Sequence, residues 1–350
     1  MFYHVGELRG IRNMDEPRDR EPCQPNDTPP ACPAPQIVSD SRSDHKLIRP
    51  SPFEGRVDKI FVGPDGLRPI WRFFLYLLLY GGLRLCLLVL IRDALPDLRP
   101  ILWLQIIAEL GLAIVALAPA LFMARVESRP FDCYGLPLRH AFGKLFWAGA
   151  LWGMVSLTTL LLALHAVNAF DFGGLALHGV RMVKFAVFWG GFFLIVGFYE
   201  EFFTRGYTQF TLTQVTGFWP SAVLLSVGFG VLHLENPGES WVGILGAVLI
   251  GLFFCLTLRR TGNLWFAVGF HAAWDWGESY FYSVPDSGGM APGHLLHSTF
   301  HGPRWLTGGS VGPEGSVLLF VLLALLWVVF ARVYPQVKYL PAPDISASRL

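Results

Sequence analysis

The sequence predicts an all-α fold, a multi-pass transmembrane bundle of about eight helices behind a disordered N-terminal tail. Of the 350 residues, 53% are hydrophobic and 15% are charged, whereas soluble domains carry roughly 25% charged residues. Apolar stretches of about 20 residues, the length that crosses a bilayer, recur along the chain. The net charge of +1 implies no basic surface, so we expect the lipid bilayer as a partner and no nucleic acid.

The first 55 residues are expected to be disordered, and residues 56–340 to form the helical bundle. The stretch from Pro22 to Pro35 contains six prolines and little that can pack. Residues 1–50 contain no apolar segment of the kind found in signal peptides, so no cleaved secretory signal is expected.

Eight apolar segments are predicted to be membrane helices. They are residues 70–91, 101–123, 142–167, 182–208, 219–234, 240–258, 262–283 and 315–333. The fourth segment is longer than one crossing requires, because a helix rises 1.5 Å per residue.

The basic residues predict how these helices run. Lys and Arg concentrate in short cytoplasmic loops. Arg125 and Arg129 follow the second segment, Arg259 and Arg260 follow the sixth, and further basic residues precede the first. This alternation predicts that both termini are cytoplasmic, and we expect the plasma membrane of a bacterial cell.

Three histidines lie in the long connection between the last two segments, residues 284–314. His294, His297 and His301 are spaced by three and four residues, which on a helix would place them together as a metal site. The surrounding Gly and Pro residues favour an outside loop with solvated histidines. We favour the loop.

Three short polar patterns interrupt the later apolar segments. They are Glu200-Glu201-Phe202-Phe203-Thr204-Arg205, Phe229-Gly230-Val231-Leu232-His233 and His271-Ala272-Ala273-Trp274-Asp275. A charged residue at the bilayer centre costs on the order of 2.5–3.5 kcal/mol. We therefore expect these side chains to face the protein interior or a wet cavity and to meet each other there.

Helical spacing separates the two glutamates. Glu201 and Arg205 are four residues apart, with the acid nearer the N-terminus, which is the better orientation for an ion pair. Glu200 points about 100° away from Glu201 and is left available for chemistry. In the third pattern, His271 and Asp275 are also four residues apart, so the carboxylate can orient the imidazole or share its ligand.

One or two carboxylates and two histidines suit peptide hydrolysis. A cavity Glu can take a proton from water. Two histidines with a carboxylate can hold a zinc ion, or they can stabilise an oxyanion without any metal. The residues leave this choice open, and no HExxH zinc motif is present. Structural ion pairing and proton-coupled transport use the same residue types.

In their order, the three patterns resemble the motifs of the CAAX protease and bacteriocin-processing family of intramembrane proteases, which includes the type 2 CAAX prenyl endopeptidases. The family set EExxxR, FxxxH and Hxxx(Asn or Asp) reads here as Glu200-Glu201-x-x-x-Arg205, Phe229-x-x-x-His233 and His271-x-x-x-Asp275. The resemblance covers residues 182–283.

The resemblance implies a helical bundle with a conical cavity, and a catalytic set of Glu200, Glu201, Arg205, His233, His271 and Asp275. Glu200 would activate the water, and His233 and His271 would stabilise the oxyanion or hold zinc together with Glu200. The substrate would be a membrane-associated peptide, prenylated or bacteriocin-like. Asp275 stands where eukaryotic prenyl proteases carry Asn, which weakens the case for prenylation. Some family members are instead non-catalytic scaffolds or bacteriocin self-immunity proteins.

Overall fold

The computed structural model describes residues 60–63, 66–94 and 102–339. The predicted disordered tail, residues 1–55, lies outside the described part of the chain. The described residues are mostly helical, as the sequence predicts.

The described residues form α-helices joined by connections of varied length. In chain order they are α1 (Pro69–Ala94), α2 (Leu102–Val126), α3 (Lys144–Ala166), α4 (Val180–Arg205), α5 (Tyr207–Thr216), α6 (Phe218–Leu232), α7 (Trp241–Thr261), α8 (Trp265–Trp276), α9 (Arg304–Thr307) and α10 (Leu318–Val333). A π-helical turn, Gly277–Tyr282, continues α8, and 3-10 turns at His233–Glu235 and Pro313–Gly315 follow α6 and precede α10.

All eight segments predicted as helices are helical, but fewer of them qualify as membrane spans. By length and composition, six stretches of the described residues are long and apolar enough to cross a membrane. They are Pro69–Arg92, Leu102–Val126, Lys144–Ala166, Val180–Thr216, Phe218–Glu235 and Trp241–Thr261. The seventh and eighth predicted segments fall short because α8 has only 12 α-helical residues and α10 has 16.

Small residues let α8 approach α3 closely. Gly149 and Gly153 on α3 form a GxxxG pattern of the kind that brings membrane helices together. A Cβ on Gly149 would overlap the carbonyl oxygen of Phe266, and one on Gly153 would overlap that of Phe270. Gly269 on α8 lies equally close to the backbone of α3. This contact fixes the position of the helix that carries His271 and Asp275.

Helix α8 lies at the centre of the bundle, and its side chains are buried in two apolar cores. Trp265 and Val268 belong to one core, and Phe266, Phe270 and Trp274 to the other. Apolar packing on several sides defines the rotation of α8, so that its polar side chains face one direction only.

The described residues also contain four two-residue strands. Strand β1 (Val62–Gly63) pairs antiparallel with β2 (Gly66–Leu67), and β3 (Phe170–Asp171) pairs antiparallel with β4 (Thr299–Phe300). The second pair places Phe170 opposite Phe300, which ties the long connection before α9 to the chain that follows α3.

The three histidines of this connection do not share a helix face. Residues 283–298 contain no helix, in agreement with the loop interpretation. His301 instead bonds to Asp171, with Nε2 3.0 Å from Oδ2, and His294 bonds through Nδ1 to the carbonyl of Ala291.

Candidate active site

A cavity of about 470 Å³ opens between α4, α6, α7, α8 and the connection after α8. Glu200, His233, His271 and Asp275 all line it, so the structure brings together side chains from all three sequence patterns. Much of the remaining wall is aromatic, including Trp189, Phe192, Phe193, Phe229, Phe254, Phe270 and Trp274.

Glu201 and Arg205 lie behind the cavity wall. Oε1 of Glu201 is 2.7 Å from Nη1 of Arg205, and the side chains are 0% and 1% exposed. The predicted ion pair is therefore present and almost fully buried. A buried pair of this kind neutralises both charges and is costly to break from one side.

Arg205 is held by more than its partner acid. Its Nε donates to the carbonyl oxygen of Gly251, and its Nη1 also donates to the hydroxyl of Thr204. The guanidinium carbon lies 4.9 Å from the ring centroid of Phe229 and 5.3 Å from that of Phe254. These contacts require the planar, multi-donor shape of arginine.

His271 lies between three carboxylates. Its Nδ1 is 3.0 Å from Oε1 of Glu201, so the ring donates there to a carboxylate that Arg205 also binds. Its Nε2 is 3.4 Å from Oδ2 of Asp275 and 3.7 Å from Oε2 of Glu200. Because Nδ1 faces Glu201, Nε2 is the nitrogen that faces these two carboxylates.

His233 ends α6 at the cavity wall. Its Nδ1 is 2.8 Å from the carbonyl oxygen of Phe229, and because a carbonyl only accepts, Nδ1 carries the proton. The Phe229 ring packs beside the imidazole at 4.5 Å, as its position one turn earlier predicts. In the neutral ring, Nε2 is left as a hydrogen-bond acceptor.

The predicted zinc ligands are Glu200, His233 and His271, a donor set that zinc accepts. Among the described residues, one group of three acidic or histidine side chains has all its ligand atoms within 4.8 Å of one another, and it is a different one: Asp275, Asp286 and Glu314. The ligand atoms of the predicted zinc set do not all lie within 4.8 Å of one another, although Glu200 and His271 are adjacent.

The cavity is also lined by four carboxylates that the sequence patterns did not indicate. They are Glu109, Glu239, Asp286 and Glu314. Glu109 was detectable as a lone acid in an apolar span, but Asp286 and Glu314 lie in a loop and carry no local signal. Burial, and secondarily the neighbouring Glu314 carboxylate, raises the pKa of Asp286 to about 8. No Lys or Arg side chain lines the cavity within the described residues, so it is strongly acidic.

The fold and the site define a helical integral membrane protein with a polar site among its apolar helices. Residues 182–277 match the family model described as type II CAAX prenyl endopeptidase Rce1-like. The matched stretch contains all three motifs and agrees with the resemblance that they show. No curated protein and no solved structure matches the chain. The family match supports a membrane CAAX-type endopeptidase.

Proposed function

We propose that this chain is an intramembrane endopeptidase in which Glu200 takes the proton from the water that attacks a peptide bond. The division of labour between two adjacent acids carries the proposal. Glu201 is buried and bound to Arg205, whereas Glu200 lines the cavity beside His271. A carboxylate within reach of bound water is the group that such hydrolysis needs.

The proposed steps of hydrolysis use the hydrogen bonds of the site. Water transfers a proton to Glu200 as its oxygen bonds to the substrate carbonyl carbon. His271, whose positive form Glu201 stabilises through Nδ1, donates from Nε2 to the oxyanion that develops. Glu200 then returns its proton to the departing nitrogen as the C–N bond breaks. The two fragments then leave, one with a new carboxylic acid and the other with a new amine.

His233 takes a different part in this scheme from His271. Because Nδ1 donates to the Phe229 carbonyl, the neutral ring presents an acceptor and binds a water or a substrate N–H. A donor role toward the oxyanion would require a second proton on this ring.

The substrate class follows from the lining of the cavity and from the family match. The aromatic wall formed by Trp189, Phe192 and Phe193 suits an apolar side chain or a lipid group beside the scissile bond. The CAAX-type family match supports a membrane-associated peptide. A prenylated or a bacteriocin-like peptide is the finer proposal, with Asp275 in the place of Asn as the feature that argues against a strict need for prenylation.

Zinc is a separate proposal and no step above depends on it. It requires His233 to approach Glu200 and His271 more closely than the structure has them. Metal analysis of the purified protein, compared with a His233→Ala and His271→Ala double variant, tests it. Stoichiometric zinc that the double variant loses would support the ion, and a metal-free protein that cleaves its substrate would contradict it.

The orientation in the membrane is also a proposal. The loop charges favour cytoplasmic termini in a bacterial plasma membrane. Reporter fusions at the two ends test this, since both should report the cytoplasmic side. A periplasmic signal from either end would contradict it.

The test of the activity uses the purified full-length chain in lipid vesicles with two matched peptides, one farnesylated at a C-terminal CAAX cysteine and one not. Cleavage of either peptide that depends on Glu200 supports the proposal. Absence of cleavage across membrane-associated peptides, with unaltered phenotype in Glu200, His233 and His271 variants, would identify a non-catalytic scaffold or immunity protein.

A further inference from the structure

A second polar cluster lies at the cavity wall; it shares Asp275 with the third motif, and its other acids lie outside the motifs. One carboxylate oxygen from each of Asp275, Asp286 and Glu314 lies within 4.8 Å of the others. Asp275 is on α8, Asp286 is in the connection after it, and Glu314 is in the 3-10 turn before α10. Three separate parts of the chain therefore direct carboxyl groups at one point.

A fourth acid adds to the same charge. Glu278 is fully buried, and neither of its carboxylate oxygens has a hydrogen-bond partner among the described residues. The Trp274 side chain lies close enough to favour the charged form of Glu278 slightly, but it does not meet hydrogen-bond geometry. The electrostatic neighbours of Glu278 are Glu314, Asp286 and Asp275. A buried carboxyl group beside three others must be neutralised, either by a proton or by a cation.

Within the described residues, protein side chains supply little positive charge here. No Lys or Arg lines the cavity, and the base in contact with the cluster is His271, 3.4 Å from Asp275. The hydroxyl of Ser279 donates to Asp286 at 3.0 Å, and that of Ser287 donates to Glu314 at 3.0 Å. Each hydroxyl binds one oxygen of a carboxylate. Hydrogen bonds of this kind typically orient carboxylates that bind metal ions.

We propose that Asp275, Asp286 and Glu314, with Glu278 beside them, bind a divalent cation of the calcium type. Oxygen-only ligand sets favour hard cations over zinc. Calcium binds oxygens at about 2.3–2.6 Å, so ligands on opposite sides of the ion lie roughly 4.6–5.2 Å apart. The observed spread fits this. Calcium also tolerates the irregular geometry that ligands from a helix, a loop and a turn impose, whereas magnesium demands a near-ideal octahedron.

The cation would join the connection after α8 and the start of α10 to the helix that carries His271. The cation would also neutralise the carboxylate of Asp275. His271 would then interact mainly with Glu200 and Glu201. The site does not depend on peptidase activity, and its test needs no substrate.

The experiment is calcium titration of the purified full-length protein in detergent after treatment with a chelator, followed by calorimetry and by the thermal unfolding midpoint, Tm. We expect one calcium ion per chain and a rise in Tm of about 5 °C at a hundredfold excess over Kd. Zinc should not replace it. The weakest known calcium sites have a Kd of about 1 mM, so a protein whose Tm does not change at about 5 mM calcium overturns the proposal.

The matched variants are an Asp286→Asn and Glu314→Gln double variant, Glu314→Gln alone, and Glu235→Gln, an exposed acid outside the cavity. Without calcium, the cluster variants should be at least as stable as the wild type, because they remove carboxyl groups that are costly to ionise in a buried site. With calcium, they should lose at least about tenfold in affinity, while Glu235→Gln keeps the wild-type response. Equal calcium affinity in all proteins, or a shift with zinc and none with calcium, contradicts the site.

Discussion

Oε1 of Glu201 lies 3.0 Å from Nδ1 of His271, although the two residues are 70 positions apart in the sequence. The same oxygen binds Arg205 at 2.7 Å. Glu201 therefore links the first motif to the third, and it defines which nitrogen of His271 faces the cavity. The close contact of α4 and α8 at Gly197, where a Cβ would lie 3.0 Å from the backbone nitrogen of Ala272, makes this bond geometrically accessible.

Loss of the Glu201 charge should damage both stability and activity. Glu201→Gln leaves the buried Arg205 charge without a counterion, which costs about 3–5 kcal/mol in comparable buried pairs. It also weakens the orientation of His271. Unfolding in detergent should show a large drop in Tm, whereas the exposed Glu235→Gln control should unfold with the wild type. Equal stability of the two variants would mean that the pair is unimportant.

Arginine at position 205 should not be replaceable by lysine. Arg205→Lys keeps the charge but cannot reach Glu201, Thr204 and the Gly251 carbonyl together or stack between two rings. We expect a loss of about 1–3 kcal/mol of stability from the unpaired buried groups. Arg332→Lys, at an exposed position on α10, is the control and should behave as wild type.

The contact between α3 and α8 should be sensitive to a single methyl group. In Gly153→Ala, the new Cβ overlaps the Phe270 carbonyl oxygen, so α8 must shift and carry His271 with it. We expect about 1–3 kcal/mol of destabilisation, the usual cost of overpacking, together with reduced cleavage. Gly191→Ala on α4, where a Cβ meets nothing within 4 Å, is the matched control. If both variants lose stability equally, the close contact is not the cause.

Stability should fall with rising pH through the titration of Asp286. Its folded pKa of about 8 lies above the ordinary value of 3.8, so the folded state holds the proton more tightly. Its contribution is therefore complete below about pH 4 and is lost as the pH rises through about 8. In calcium-free buffer, the Tm of the wild type should decrease over this window more than that of Asp286→Asn. Parallel curves for the two proteins would contradict the assignment.

The sequence could predict the structural features that lie within a single helix. Apolar length predicted all eight helices, and four-residue spacing predicted the Glu201–Arg205 pair. The count of spans was less accurate, because hydropathy does not show that α8 ends at Trp276 and continues as a π-turn.

What the sequence could not predict depends on packing between distant segments. The bond from His271 to Glu201 depends on how α4 crosses α8, and nothing in either motif encodes that crossing. The cluster of Asp275, Asp286 and Glu314 is built from a helix, a loop and a turn with no regular spacing. Acids in a polar loop resemble solvated residues until the fold places them against a cavity.

Cleavage by Glu200→Gln is the most direct test of the central claim. The substitution keeps the size of the side chain and leaves the Glu201–Arg205 pair intact, so the protein should fold and insert normally. Because a general base contributes about 10²–10⁴-fold, kcat/KM on a membrane-associated peptide should fall by that factor, with wild-type Tm. A Glu200→Gln protein that cleaves the peptide at the wild-type rate would contradict the account.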